Sequence, residues 1–317
     1  MPFIWSLAAT SIICILMCVI PALFILLAVL WGVLLVVSAC YIEKAQLIAI
    51  FLINNLIYYL LAGFSTVFFS IIFFGAAYLA MSIAANYRQG YYEIQKWGII
   101  IGLLSVSFFL ISLYTSPEGL STVQTQLEGY LNNTIQTYDD SGLLEFYANQ
   151  GISRAEIERS LSQVMEQIIR YLPAFYYLQA IMAVFFTSIV AAYIGRKYGI
   201  DRLIKKPFSE EIMPWQLVWV AILGLVFWIG DKNNMSTLYS IGSNLLVVLV
   251  PIAMYYGLSV VVYSIKRSSF KTWLIIAMVI LTLIFPISVV IFLSLAGLFD
   301  SLIDYRKVRT VKEDGNQ

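Results

Sequence analysis

The chain has 317 residues, 61% hydrophobic and only 12% charged, whereas soluble domains are roughly 45–50% apolar and about 25% charged. A water-soluble fold is therefore excluded. The net charge of +1 leaves no field of one sign to attract nucleic acid, and no polar tract is long enough to stay disordered.

There is no histidine, so chemistry that needs an imidazole base, acid or metal ligand is missing. The three cysteines, Cys14, Cys18 and Cys40, lie in apolar stretches and read as small core residues. Cys14 and Cys18 share a helix face, but two thiols without further ligands do not make a metal site. No metal and no cofactor is expected. No basic region precedes the first apolar run and no small-residue cleavage site bounds it, so Met1 is expected to stay attached.

From Phe3 to Ile42 the chain is almost uninterruptedly apolar. As one helix it would be roughly 60 Å long, about twice the hydrocarbon thickness. Pro21 lacks an N–H donor and marks the break between spans Phe3–Ile20 and Pro21–Tyr41. Gly63 marks the next turn, between Gln46–Leu61 and Phe64–Ala84, and a fifth span runs from Trp97 to Thr115.

Residues 116–170 are polar, with apolar residues at helical spacing. Val123, Leu127, Leu131, Ile135 and Tyr138 form one stripe; Ile157, Leu161, Val164 and Ile168 form another. Asp139, Asp140, Ser141 and Gly142 supply a turn, and Ser153 with Glu156 a capping box. These features predict an amphipathic helical hairpin lying on the membrane. Pro173 then opens a sixth span to Gly195, Pro214 a seventh to Gly230, and Leu238–Tyr263 makes an eighth. Pro286 divides the last apolar stretch, Thr272–Phe299, into two short halves.

Charge sets the orientation. Fifteen of the 19 basic residues collect on one side; Arg154, Arg159, Arg170 and Lys232 are the others. Basic loops stay cytoplasmic, so both termini are expected inside and the hairpin outside. The expectation is an all-α, polytopic transmembrane bundle of nine to ten short spans, multi-pass in the cell membrane. Residues 1–115 form an N-terminal bundle, 116–170 the extracytoplasmic hairpin, 171–305 a C-terminal bundle and 306–317 a cytoplasmic tail.

No Asp, Glu, Lys or Arg falls within the hydrocarbon part of any span, which disfavours proton coupling. The polar side chains that enter include Asn54, Asn55, Gln179, Ser243 and Asn244, near Tyr58, Tyr59, Tyr255 and Tyr256. Helix-to-helix hydrogen bonding is one reading of them. The other is a ligand pocket: Asn244 is close in depth to Trp228 and Tyr239, and with Asn54 and Asn55 they are the candidate ligand-binding residues. Ala76, Ala80 and Ala84 form a small-residue stripe that fits either an internal helix or a separate membrane subunit. Arg202 in RKYGIDRLIKKPFSEE, and Asp300, Asp304 and Arg306 in the tail region, are candidates for docking a cytoplasmic or membrane protein partner, or simply face water and headgroups.

The carboxyl half carries YLPAFYYL, RKYG, PWQLVW, IGSNLLVVL, YYGLSVVVYSIKR and AGLFDSLIDYRK in order. Over Tyr171–Arg309 this resembles the YybS-like family of predicted bacterial membrane proteins, most closely at Asn244, Gly257, Gly297, Asp300, Asp304 and Arg306. That family is similar in its membrane core to the S components of energy-coupling-factor transporters, which capture a ligand from outside and rely on a separate energising module. The resemblance implies a bacterial inner-membrane module that binds a small-molecule substrate. No GxxxxGK[ST] motif is present to energise it. A membrane scaffold recruiting partners is the alternative. An enzyme is not expected, because no nucleophile with a base is visible.

Overall fold

The computed structural model describes residues 2–116, 118–230, 237–303 and 305–306. Lys232, Asp304 and the tail residues 307–317, with Lys307, Arg309 and Lys312 of the fifteen basic residues counted on one side, lie outside the described residues. The chain is all-helical there. It divides into two compact units, with the boundary between Lys205 and Lys206.

The first unit opens with α1 (Pro2–Val19), a 3-10 turn at Pro21–Leu23 and α2 (Phe24–Ser38), broken at Ile20 just before the proline. The helix α3 (Lys44–Ser70) begins where the Glu43 N–H donates to Gln46 Oε1 at 3.3 Å. It continues through a π-helical turn, Ile71–Gly75, into α4 (Ala76–Asn86). A straight helix over these 43 residues would be about 64 Å long. Instead Lys44 Nζ donates to Tyr87 Oη at 2.8 Å, and the Phe51 ring lies against Gly75. The chain therefore doubles back, and Gly63, with φ 80° and ψ 173°, is where it turns. Only glycine adopts such a conformation without strain. The turn expected at Gly63 is present.

Next come α5 (Tyr91–Thr115), α6 (Gly119–Asp140), α7 (Leu143–Asn149) and α8 (Arg154–Tyr198). The turn chemistry before α7 and the cap of α8 follow the sequence. Gly142 is left-handed at φ 72°, and the Ser153 N–H donates to Glu156 Oε2 at 2.8 Å. The reading of Pro173 needs correction. It lies inside α8, a 45-residue helix about 67 Å long. The second amphipathic stripe and the sixth span are one continuous helix, so the amphipathic segment runs on from the span instead of lying as a separate helix on the membrane. The α8 residues buried in the unit all lie from Ala174 onward. Joining them this way places the sixth span in the first unit.

The core of this unit forms where α2, α4, α5 and α8 meet. Trp31 stacks on Phe51 with ring centroids 5.8 Å apart and meets Tyr78 edge-on at 6.0 Å. Gly32 lies directly on the Tyr78 ring, and Gly98 on Met81 and Val184. Such contacts need no hydrophobic driving force between helices, only close packing.

The second unit contains α9 (Gln216–Gly230), α10 (Thr237–Arg267), α11 (Lys271–Ile284) and α12 (Pro286–Ile303). Its centre is α10. Gly242 lies against Gly224 and the Trp228 backbone of α9; Gly257 meets the Leu293 carbonyl and Gly297 the Ala253 carbonyl across the α10–α12 seam. Backbone touches backbone at both places. Seven helical stretches in the described chain are long and apolar enough to cross a bilayer; α9 and α11, of 15 and 14 residues, are apolar but shorter. With residues 44–86 counted as the two legs they form, the described residues make ten apolar legs.

Candidate functional site

In the first unit the polar centre between α1 and α3 is Asn54, which is fully buried. Ser11 Oγ donates to its Oδ1 at 3.1 Å, and Thr10 Oγ1 lies 3.4 Å from the same oxygen while bonding the Ser6 carbonyl at 2.8 Å. The Asn54 Nδ2 group has no partner. Turning the amide over exchanges its ends but still leaves one end bare. Asn55 points elsewhere and donates to the Phe51 carbonyl at 2.8 Å. An amide at this depth neither titrates nor carries charge, so it suits a neutral hydrogen-bonding group.

Four further polar atoms lie buried without partners among α2, α4 and α8: Trp31 Nε1, Tyr78 Oη, Ser82 Oγ and Thr187 Oγ1. The alanine stripe of α4 lies beside them. Ala84 is buried, but Ala76 and Ala80 are only half-buried. The close helix contact is made one position over, where Ala77 faces Gly102 of α5 with Ala180 of α8 nearby.

At one end of the same unit Arg202 closes two helices. Its Nη1 donates to the Ala85 carbonyl at 2.7 Å, and its Nη2 to the Cys40 carbonyl at 2.6 Å. Asn86 Nδ2 completes the junction by donating to the Ala39 and Ile42 carbonyls at 3.1 and 2.8 Å. Carbonyls at a helix C-terminus lack intrahelical donors, and a guanidinium supplies them. Burial pushes the Cys40 thiol above its ordinary range, and the Arg202 charge opposes that shift. On the hairpin, a cleft of about 390 Å³ between α6 and α8 is lined by Gln136, Asp139, Arg154 and Glu158, with Arg154 paired to both carboxylates.

The second unit holds the remaining candidates. Asn244 Nδ2 donates to the Ser240 carbonyl at 2.8 Å and the side chain is half-buried, as are Trp228 and Tyr239. The Trp228 backbone lies on Gly242, two residues before Asn244. Asp300 and Arg306 are brought together as a buried ion pair, with Nη2 2.7 Å from Oδ2. Arg306 also reaches the Ser209 carbonyl at 2.6 Å, Ser259 Oγ at 2.8 Å and the Glu211 carbonyl at 2.6 Å. Tyr255 donates to the Glu211 carboxylate. Asp304 lies outside the described residues.

The polar features thus sit inside an all-helical membrane bundle, and residues 8–301 match the model of one family, described as predicted membrane protein (DUF2232). This chain belongs to the DUF2232 family. The matched residues run through both units, and Asn54, Arg202 and Asp300 lie within them. No curated protein and no solved structure matches the chain.

Sequence reasoning missed Ser259, Ser82 and Thr187, because a hydroxyl in an apolar helix is common and carries no spacing signal, and it missed Ser209, which meets Arg306 through its backbone carbonyl in a short 3-10 turn. Trp31 and Tyr78 read only as core aromatics. For Arg306 the available signal was an arginine following Asp300 at the end of an apolar helix.

Proposed function

We propose that this DUF2232 protein is a transporter-like, small-molecule-binding module of the cell membrane, and that its first unit meets a small neutral ligand at Asn54. The observation that carries this reading is the bare end of a fully buried amide at bilayer depth. A polar group in hydrocarbon is costly unless something hydrogen-bonds to it. That no Asp, Glu, Lys or Arg falls within the hydrocarbon part of the spans supports a ligand without net charge, since a buried charge needs a counter-charge. The YybS-like resemblance, and through it the likeness to S components, supports the same reading; capture without a nucleotide-binding loop points to a separate energising subunit. The distribution of lysine and arginine supports both termini facing the cytosol. No enzymatic activity belongs to this reading.

Mass spectrometry of small molecules held by gently purified protein tests it. Wild type is expected to retain a neutral metabolite that Asn54→Leu loses at unchanged expression and monodispersity. Equal retention by both removes the site assignment. One observation favours a scaffold instead: α11 has no buried residue, and Trp273 and Ile275 stand exposed on it. A protein subunit that copurifies reproducibly in place of any metabolite supports that second reading.

A further inference from the structure

Helical serines and threonines in this chain commonly turn their hydroxyl back onto the carbonyl four residues earlier. Thr66 does so at 2.9 Å, Ser107 at 2.8 Å, Ser188 at 2.8 Å, Thr282 at 2.7 Å and Ser294 at 2.8 Å. That bond is the simplest way to satisfy a hydroxyl in an apolar helix. Ser82 on α4 and Thr187 on α8 do not make it, although each sits within a regular helix, fully buried. Thr187 lies beside Tyr78, near enough for the two hydroxyls to interact, although neither makes a hydrogen bond of full geometry. Tyr78 is also fully buried, one helical turn before Ser82, and Trp31 Nε1 belongs to the indole that meets the Tyr78 ring. Three residues before Tyr78 the helix is still in the π-helical turn Ile71–Gly75, a distortion that recurs at functional sites.

We propose that Tyr78, Ser82 and Thr187, with Trp31 Nε1, form an internal hydration site at which water bridges α2, α4 and α8. The four groups are neutral. Three can both donate and accept, and the fourth only donates, which matches water and does not match a cation, for which the indole N–H is the wrong pole. Hydroxyls that forgo the backbone carbonyl need another partner, and a bridging water supplies one to each at a modest ordering cost. Bridging water also joins three helices without fixing a single donor–acceptor register, so their contact can shift while every polar group keeps a partner. This site is independent of the ligand assigned to Asn54.

Radiolytic footprinting of the intact, detergent-purified protein in ¹⁸O-labelled water tests the proposal, because an ordered water beside a buried side chain oxidises it where bulk solvent cannot. Trp31 and Tyr78 are expected to be oxidised despite their burial, above the equally enclosed Phe74 after correction for intrinsic reactivity. In the Ser82→Ala/Thr187→Val double variant, Tyr78 oxidation should fall towards the level of Phe74 while exposed Tyr130 is labelled as before. Wild-type labelling of Trp31 and Tyr78 no greater than that of Phe74 overturns the site, and this arm stands even if the variant does not fold. A double variant that melts above wild type overturns it too, since removing hydroxyls that truly lack a partner would stabilise the protein.

Discussion

Arg306 donates to Asp300 through both Nε and Nη2, and the two side chains are 0% and 3% exposed. The three remaining N–H groups go to the Ser209 and Glu211 carbonyls and to Ser259 Oγ, so no donor of the guanidinium is left over. One side chain thereby ties the end of α12 to α10 and to the segment that precedes α9. Ser301 adds a bond from α12 to the Met213 carbonyl at 3.0 Å.

A buried charge that loses its partner is destabilising even where the pair itself contributes little. Arg306→Met is therefore expected to cost about 3–5 kcal/mol, and Asp300→Leu a similar amount. The double variant Asp300→Leu/Arg306→Met should be less unstable than the sum of the singles. Equilibrium unfolding of the second unit, followed through a reporter on α12, gives the coupling; strict additivity would mean that the pair does not act as a unit.

Arg202 makes two charge-assisted bonds, to a carbonyl of the last turn of α4 and to one in the turn that follows α2. Arg202→Ala should destabilise the first unit by about 2–4 kcal/mol, with Arg202→Lys recovering only part, because one ammonium lacks the planar fork that reaches both oxygens. Thermal melting of the three proteins decides this. Lysine equal to arginine would mean that charge alone matters.

Glycines act in two different ways here, and alanine scanning should separate them. A methyl group at Gly257 would run into the Leu293 carbonyl and one at Gly297 into the Ala253 carbonyl. Both are backbone atoms that cannot swing aside, so either alanine is expected to open the α10–α12 seam at a cost of about 3 kcal/mol or more. Gly63 has nothing within 4 Å of the added carbon but a φ of 80°. Gly63→Ala should cost about 1–3 kcal/mol through backbone strain, leaving the helices on either side packed as before. Crosslinking between positions 250 and 294, which face each other across the same seam, compared with positions 51 and 75, distinguishes the two cases.

Cys40 offers a pH-dependent readout of the Arg202 junction. Burial raises its thiol pKa above the usual 9.0, so little thiolate forms at neutral pH and alkylation should be slow, rising only as the solution becomes alkaline. The folded-state pKa is raised, so the neutral thiol is the form that folding favours. Its contribution is therefore present below the unfolded value and lost as pH climbs past the folded one. In a protein with Cys14 and Cys18 replaced by alanine, a permeant maleimide gives the rate against pH. A profile centred below that of a free thiol would contradict the burial.

Much of the fold was legible because punctuation residues act locally. Pro21 and Pro286 break helices wherever the chain is free to turn, Gly63 alone tolerates its φ, and Ser153 with Glu156 satisfies orphan N–H groups within one turn. Pro173 misled for the same reason. A proline suits the first turn of a helix but also persists inside one, and its own neighbourhood does not say which. Of the alanine stripe Ala84 is buried, whereas Ala77 in place of Ala76 meets Gly102, because both lie on a small-residue face and only the approach of α5 selects between them.

Composition by itself determined that lipid is the solvent for this chain, and its long continuous apolar runs that it is helical, since a backbone in hydrocarbon must satisfy its own hydrogen bonds and a barrel strand is short and alternating. Tertiary structure alone decided which polar groups were left without partners and which charges were enclosed. Whether Asn54, Thr187 or the remaining donors of Arg306 beyond Asp300 are satisfied depends on atoms brought alongside from segments tens of residues away along the chain, beyond the reach of any local pattern.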